Sequence, residues 1–302
     1  MNNFLKYFYN IEVDKIDFNN HYYSFIYHGY TYKLYAINNN ININYLVNMN
    51  KKLLEYTLVS QIIVNKDNDY ISYNDNIGYL LIKIFVNINK NLSLNEICSF
   101  DNSLYTKNLS INWGILWSKK IDYLENLINE NGKKYPLIVD SFNYFVGMAE
   151  NAISYYNNIL IPKDYVFFVS HRNIGFNDTI EVIYNPLNII FDYKARDIAE
   201  YIKTCFFTYN NNIFSELDNL VNKNYLSLID VKLIIARILY PSFYFNLYEN
   251  ILIDNQDEKI LVRIINKLDD YEIYLSSIIG FFKKYYEIEE IYWLKEENKK
   301  KN

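Results

Sequence analysis

The sequence predicts an α+β chain of two lobes, a small strand-rich one over residues 1–88 and a larger helical one over residues 89–302. Three observations predict it. The first third consists of short β-branched and aromatic runs broken by turn residues. From Trp113 onward apolar residues recur at helical spacing instead. A chain of 302 residues, 51% hydrophobic with only 7 Gly and 4 Pro, is long for one compact domain and leaves little for flexible linkers.

The elements follow in order. Residues 22–27 and 30–37 flank His28-Gly29 and read as a strand pair around a glycine turn. Residues 45–58 place Leu46, Met49, Leu53 and Tyr56 at helical intervals. Strands at 60–64 and 70–73 are separated by the turn Lys66-Asp67-Asn68-Asp69, and Asp75-Asn76 leads into 79–84, whose nearly continuous apolar run suits a central strand. A helix over 113–131 aligns Leu116, Trp117, Ile121, Leu124 and Ile128 and stops at Gly132. A second covers 140–157, and residues 166–170 form a short apolar strand leading into His171. Asp197-Ile-Ala-Glu200 fits a capping box opening a third helix, with Asp197 as the cap and Glu200 reaching back to it. Later helices span 213–221, 228–239 and 258–286, and Pro241 breaks the chain after the second of these. No internal repeat of solenoid period is present.

Composition narrows the class. The 33 Tyr and 19 Phe, with abundant Asn, Ile and Lys, share A/T-rich codons, so the asparagine runs 38–40 and 210–212 read as loops between periodic segments. A net charge of −5 argues against a nucleic-acid footprint, and the terminal Lys299-Lys300-Lys301 reads as a solvated tail. Cys98 and Cys205 match neither a disulfide framework nor a metal motif, which points to a reducing, intracellular setting. Residues 1–10 lack the pattern of a signal peptide, and no run reaches the roughly 18 apolar residues of a membrane span.

Four segments carry a resemblance: Trp113-Gly-Ile-Leu-Trp117 with 120–125; Asp140-Ser-Phe-Asn-Tyr-Phe-Val-Gly-Met-Ala149 on to Tyr155; Asn185-Pro-Leu-Asn-Ile-Ile-Phe-Asp-Tyr-Lys-Ala-Arg-Asp-Ile-Ala-Glu200 on to Ile202; and Ala236-Arg-Ile-Leu-Tyr-Pro-Ser-Phe-Tyr-Phe245 with Tyr248-Glu249. Their order and content resemble the YutH-type endospore coat-associated proteins, relatives of the CotS spore coat group. Tyr79-Leu-Leu-Ile-Lys83 looks like the last N-lobe strand of that family. The resemblance implies a two-lobed protein-kinase-like, aminoglycoside-phosphotransferase-like fold. It also implies a bacterial sporulation role, in the mother-cell cytoplasm or the spore coat, with other coat or spore-assembly proteins as partners.

A kinase-like fold that transfers phosphate needs a glycine-rich loop, a strand lysine paired to a helix glutamate, a catalytic-loop Asp, and an Asn and a second Asp for Mg²⁺. Gly29 stands alone, so no glycine-rich loop exists there. Lys33 and Glu55 are the cofactor-binding candidates that could imitate the lysine–glutamate pair, with Lys83 on the later strand as another lysine. His171-Arg172-Asn173 takes the catalytic-loop position with Asn173 where the carboxylate belongs, and an amide cannot act as a proton acceptor near neutral pH. Asp178 falls where the loop's metal-binding residue would stand. Aligning Asp192 to Asp197 with the related kinase segment puts Asn185 at the metal position, and a neutral amide is a poor ligand for a hard cation. Asn185, Asp178 and Asp192 are therefore the metal candidates, with ATP and Mg²⁺ as the cofactors a surviving activity would use. Arg196, Asp197 and Glu200, with Asp192, form the densest ionisable cluster, either a residual ligand site or a buried structural network. The aromatics 144–145, 155–156, 240 and 243–245 read as core packing; an exposed belt around Pro241 would instead be a partner surface. The expected function is a catalytically impaired pseudokinase with a structural or interaction role. The alternatives are an active small-molecule phosphotransferase and a nucleotide-binding module.

Overall fold

A computed structural model describes residues 1–19, 22–37, 41–56, 59–85, 92–101, 104–107, 109–174, 179–208, 212–254 and 256–294. In chain order the elements are α1 (Asn2–Tyr9), β1 (Asp17–Asn19), β2 (Tyr22–Tyr27), β3 (Tyr30–Ile37), α2 (Ile43–Tyr56), β4 (Gln61–Ile63), β5 (Ile71–Asn74), β6 (Ile77–Ile84), α3 (Leu94–Asp101) and β7 (Tyr105–Thr106). They continue with α4 (Trp113–Asn131), α5 (Pro136–Asn157), β8 (Phe167–His171), α6 (Glu181–Tyr184), β9 (Ile189–Asp192), α7 (Ala195–Thr208), α8 (Ile213–Asn222), α9 (Leu228–Leu239), α10 (Ser242–Asp254), α11 (Val262–Ile265) and α12 (Leu268–Lys283).

The chain forms two compact units, Met1–Tyr105 with Phe168–Asn173 and Asn177–Phe191, and Thr106–Phe167 with Ile174–Phe176 and Asp192–Asn302. This grouping differs from a border at residue 88. His171 packs its ring on Phe100 of α3, and the Ser60 amide beside β4 donates to the Tyr184 carbonyl at 3.0 Å, so both later segments join the strand-rich unit.

In the first unit an antiparallel sheet runs β1-β2-β3-β6-β4, with β5 also paired to β6. Alternation along the strands gives it two apolar faces. Phe25, Tyr32, Leu34, Tyr79 and Leu81 pack against Phe4 and Leu5 of α1, while Leu80 and Ile82 pack with Ile62 against Leu46 and Val47 of α2. The β2–β3 hairpin closes on His28 (φ 47°) and Gly29 (φ 78°), and Asp75 (φ 48°) with Asn76 (φ 67°) closes β5–β6 in the same left-handed way. Asn50 of α2 donates to the Ser60 carbonyl (2.7 Å) and accepts from the Ile62 amide (3.2 Å). That contact fixes α2 on β4 and satisfies backbone groups of a short edge strand. A further sheet has the order β7-β8-β9.

In the second unit α7 and α5 pack on α9, and α4 packs on α5. Of the aromatics expected in the core, Phe145, Tyr156, Tyr240, Phe243, Tyr244 and Phe245 are buried, Tyr155 is half-buried, and Tyr144 is exposed. Phe145 stacks on Tyr244 with centroids 3.6 Å apart, and Trp117 stacks on Tyr240 at 4.5 Å. Tyr240, Phe243, Tyr244 and Phe245 are all buried, so the belt around Pro241 is packing and not an exposed partner surface.

Several expectations shift. Helix α5 begins at Pro136, four residues before Asp140, because Pro suits the first helical position and Glu258 caps the Leu137 amide at 3.0 Å. Helix α4 does end before Gly132, but that residue is right-handed (φ −58°) and opens a 3-10 turn. Helix α7 opens at Ala195, so Asp197 lies inside its first turn and is not the cap. The single helix expected over 258–286 is divided into a 3-10 turn (Glu258–Leu261), α11 and α12. Helix α1 and strand β1 add to the expected elements, and Phe4, Leu5, Phe8 and Tyr9 give α1 an apolar stripe at helical spacing. The expected break at Pro241 is present between α9 and α10.

Candidate functional site

The alternation of β3 decides what Lys33 can meet. Tyr32 and Leu34 face α1, so Lys33 and Tyr35 face the other side of the sheet. There the Lys33 ammonium lies 2.6 and 2.8 Å from the two carboxylate oxygens of Glu181, the first residue of α6. Both side chains are largely buried, and the ammonium also stands 4.3 Å from the centre of the Tyr22 ring. The pair expected with Glu55 is not formed. The inner stripe of α2 is Leu46, Val47, Met49, Asn50 and Leu53, and Glu55 falls off it, exposed. Lys83 instead sits 3.6 Å over the Tyr30 ring.

His171 ends β8, buried, with Nε2 donating to the Ile183 carbonyl at 3.0 Å. This bond orients the loop, the plainer of the two roles a loop histidine could have. The Arg172 amide donates to the Asn188 carbonyl at 2.8 Å. Asn173 is exposed and held by its backbone: its amide donates to Asn188 Oδ1 (3.1 Å) and its carbonyl accepts from Asn188 Nδ2 (2.8 Å), which also reaches the Val182 carbonyl (3.1 Å). The sequence reading missed Asn188, since nothing local distinguishes it from other loop asparagines. Asp178 lies outside the described residues.

Asn185 is spent at both ends. Its Oδ1 accepts from the Leu187 amide at 3.1 Å, capping the 3-10 turn Pro186–Asn188, and its Nδ2 donates to the Tyr35 hydroxyl at 3.3 Å. Burial, with Glu181 and Tyr22 nearby, pushes the Tyr35 phenol well above its ordinary range and keeps it neutral.

The ionisable cluster belongs to the second unit. Asp192, buried, accepts from Trp113 Nε1 (3.0 Å), the Tyr193 amide (2.7 Å) and Arg196 Nη1 (2.7 Å). Glu200 does not reach back to a cap. It accepts from Lys203 Nζ (2.9 Å), Arg237 Nε (2.8 Å) and Ser242 Oγ (3.1 Å). Burial alone would raise the Glu200 carboxyl, but Lys203, Arg237 and Arg196 outweigh it and hold the group down at about 2. Burial lowers Lys203 to about 8, with Glu200 opposing the shift and Arg237 adding to it. Arg237 also covers the Trp113 ring at 4.8 Å. This geometry is that of a buried structural network joining α4, α7, α9 and α10, with Asp197 fully buried inside it. A Lys three residues after Glu200 on an otherwise apolar helix face was the signal that could have revealed it. Among the described residues no group of three His, Cys, Asp or Glu side chains is placed to hold a metal ion.

Comparison with solved structures gives the fold its place. The chain is similar to an aminoglycoside phosphotransferase from Alicyclobacillus acidocaldarius (TM-score 0.62, 10% identity, 89% of this chain and 92% of that one). It is also similar to the spectinomycin phosphotransferase APH(9)-Ia (TM-score 0.57, 12% identity, 93% and 96% covered) and to the amicoumacin kinase hAmiN (TM-score 0.57, 11% identity, 88% and 91% covered). At such identities the likeness is one of fold, and the fold is kinase-like. In sequence, the chain is 27% identical over 190 residues to the endospore coat-associated protein YutH of Bacillus subtilis, and the match spans about half of each protein, 56% of both. The family model described as "Spore coat putative kinase YutH" matches residues 2–278, and the chain belongs to that family.

Proposed function

We propose that this protein is a coat-associated pseudokinase, a kinase-like chain that carries out no phosphoryl transfer and serves spore assembly as a structural or interaction component. Its expected place is the mother-cell cytoplasm and the coat, and its expected partners are other coat or assembly proteins. The observation that carries the reading is the pair Asn173 and Asn185, standing where the kinase pattern has carboxylates. Asn173 cannot take a proton from a nucleophile. Asn185 offers a neutral oxygen that already accepts from Leu187, so it does not suit Mg²⁺. Asp192, the remaining metal candidate among the described residues, already accepts from three donors of its own unit. The residues present do not fit a Mg²⁺–ATP complex, and no chemical step is derived through one. Support for the coat role comes from the family and from the name of the Bacillus subtilis relative.

The test is a thermal-shift titration of the purified chain with ATP, with and without Mg²⁺. The expected result is no shift, whereas a ligand at 100 times its dissociation constant adds about 2.7 kcal/mol of stability. Mg²⁺-dependent ATP turnover would restore the phosphotransferase reading, and a shift without turnover would make the protein a nucleotide-binding module.

A further inference from the structure

In kinase-like folds the lysine of the third strand anchors nucleotide phosphates. Active kinases pair that lysine with a glutamate of the following helix and still leave it open to phosphate; here α2 supplies no such partner, and the anion comes from a segment laid along the strand face that carries Lys33. Both oxygens of Glu181 lie within hydrogen-bond distance of Lys33 Nζ, and the Tyr22 ring takes up another side of the ammonium.

Glu181 is also held in place. Each of five consecutive residues is tied to the rest of the unit: Glu181 to Lys33, the Val182 carbonyl to Asn188, the Ile183 carbonyl to His171, the Tyr184 carbonyl to the Ser60 amide, and Asn185 to Tyr35. Lys33 and Tyr35 are alternate residues of β3 and share one face, so residues 181–185 run along the strand surface that carries the lysine. A phosphate approaching Lys33 would meet a carboxylate of like charge, and displacing that carboxylate would leave it buried without its cation.

We propose that Glu181 is a built-in counter-anion that takes the place of nucleotide phosphates on Lys33, making residues 181–185 an intramolecular plug over the anion site of the first unit. The proposal rests on the reading above that the wild-type chain binds no nucleotide, and it names the residue that enforces it. Glu181 acts by excluding phosphate and has no catalytic role.

The test compares wild type, E181Q and the double variant E181Q/K33M by thermal shift in ADP and, separately, in inorganic pyrophosphate, both without Mg²⁺. Far-UV circular dichroism checks folding. Wild type should not shift. E181Q should gain a rise of roughly 2 °C at ten times the dissociation constant, and adding K33M should abolish it. A folded E181Q that ignores both ligands overturns the plug and leaves the pseudokinase reading standing. A wild type that already shifts with ADP overturns the pseudokinase reading, and the plug with it. Should E181Q not fold, E181D replaces it. That variant keeps the charge but withdraws the carboxylate by one methylene, and it should show a smaller shift that K33M again removes; a folded E181D without any shift counts against the plug in the same way.

Discussion

The ammonium of Lys203 stands 3.3 Å from the carbonyl oxygen of Arg237. That oxygen is the one an amide at position 241 would serve if α9 continued, and Pro241 has no N–H to give. Lys203 also reaches the Tyr240 carbonyl (3.3 Å) and Ser242 Oγ (2.6 Å), so one buried cation satisfies the end of α9 and the start of α10.

This placement has a consequence for alkaline stability. Below pH 8 Lys203 is protonated in both folded and unfolded chains. Between about 8 and its ordinary 10.5 the unfolded chain keeps a proton that the native state has lost. Stability should therefore rise with pH across that window, the gain being complete above 10.5. Buried tyrosines act in the opposite sense: burial pushes Tyr244 up to about 12 against 10.0 unfolded, so toward pH 10 and above the native state holds the extra protons and stability falls. Urea unfolding at intervals from pH 7 to 11 should show a shallow maximum near pH 9, where the many buried tyrosines together offset the single proton of Lys203. In K203M the rise should vanish while the fall remains.

Glu200 carries the opposite charge of the same network. Its carboxyl is held at about 2 against 4.5 unfolded, so its contribution is present above 4.5 and drains away as the pH falls through 2. The variant E200Q leaves Lys203 and Arg237 buried beside each other without their anion. The expected loss is about 3–5 kcal/mol, measured by urea unfolding at pH 7. E200Q should also lose the acid sensitivity that the wild type owes to this group. An E200Q protein as stable as wild type would mean that the cluster contributes nothing at neutral pH.

How much of this was legible in the sequence depends on the range of the interaction. Residues 228–239 announce their helix by local periodicity, and that helix spans the same residues in the structure. His28-Gly29 likewise announces its turn through the left-handed backbone it needs. Lys33 lies on the strand expected for it, but its ion-pair partner lies 148 residues downstream and no spacing rule reaches that far. The start of α5 was misplaced for the same reason, because its cap comes from Glu258, 121 residues on. Asp197 misled in another way. A capping-box pattern competes with tertiary burial, and here the helix gained its first turn from the Tyr193 carbonyl, which accepts from the Arg196 amide at 2.9 Å.

Asp192 can be separated from a metal role by an isosteric change. In D192N the remaining oxygen can still accept from Trp113 and the Tyr193 amide, but the amide nitrogen then faces the Arg196 guanidinium, donor against donor. The expected cost is about 2–3 kcal/mol in chemical unfolding, below the range for a fully buried pair because Arg196 is partly accessible. Titration with Mg²⁺ should leave the melting temperatures of wild type and D192N equally unmoved. A Mg²⁺ shift in wild type that D192N abolishes would reinstate Asp192 as a ligand.

The loop bearing Asn173 depends on Asn188, whose side chain accepts one bond and donates two. Deleting it as N188A removes all three. At about 0.5–1.5 kcal/mol each, and discounted because Asn173 is exposed, the loss should come to about 2 kcal/mol. The more telling readout is hydrogen exchange at the Asn173 amide, whose acceptor is Asn188 Oδ1. Exchange there should quicken markedly in N188A. N188D keeps that acceptor but cannot donate to the Asn173 and Val182 carbonyls, so it should retain protection at the Asn173 amide while still losing stability. Protection unchanged in both variants would show that the bend after β8 is held by its own backbone, and Asn188 would then be a passenger on it.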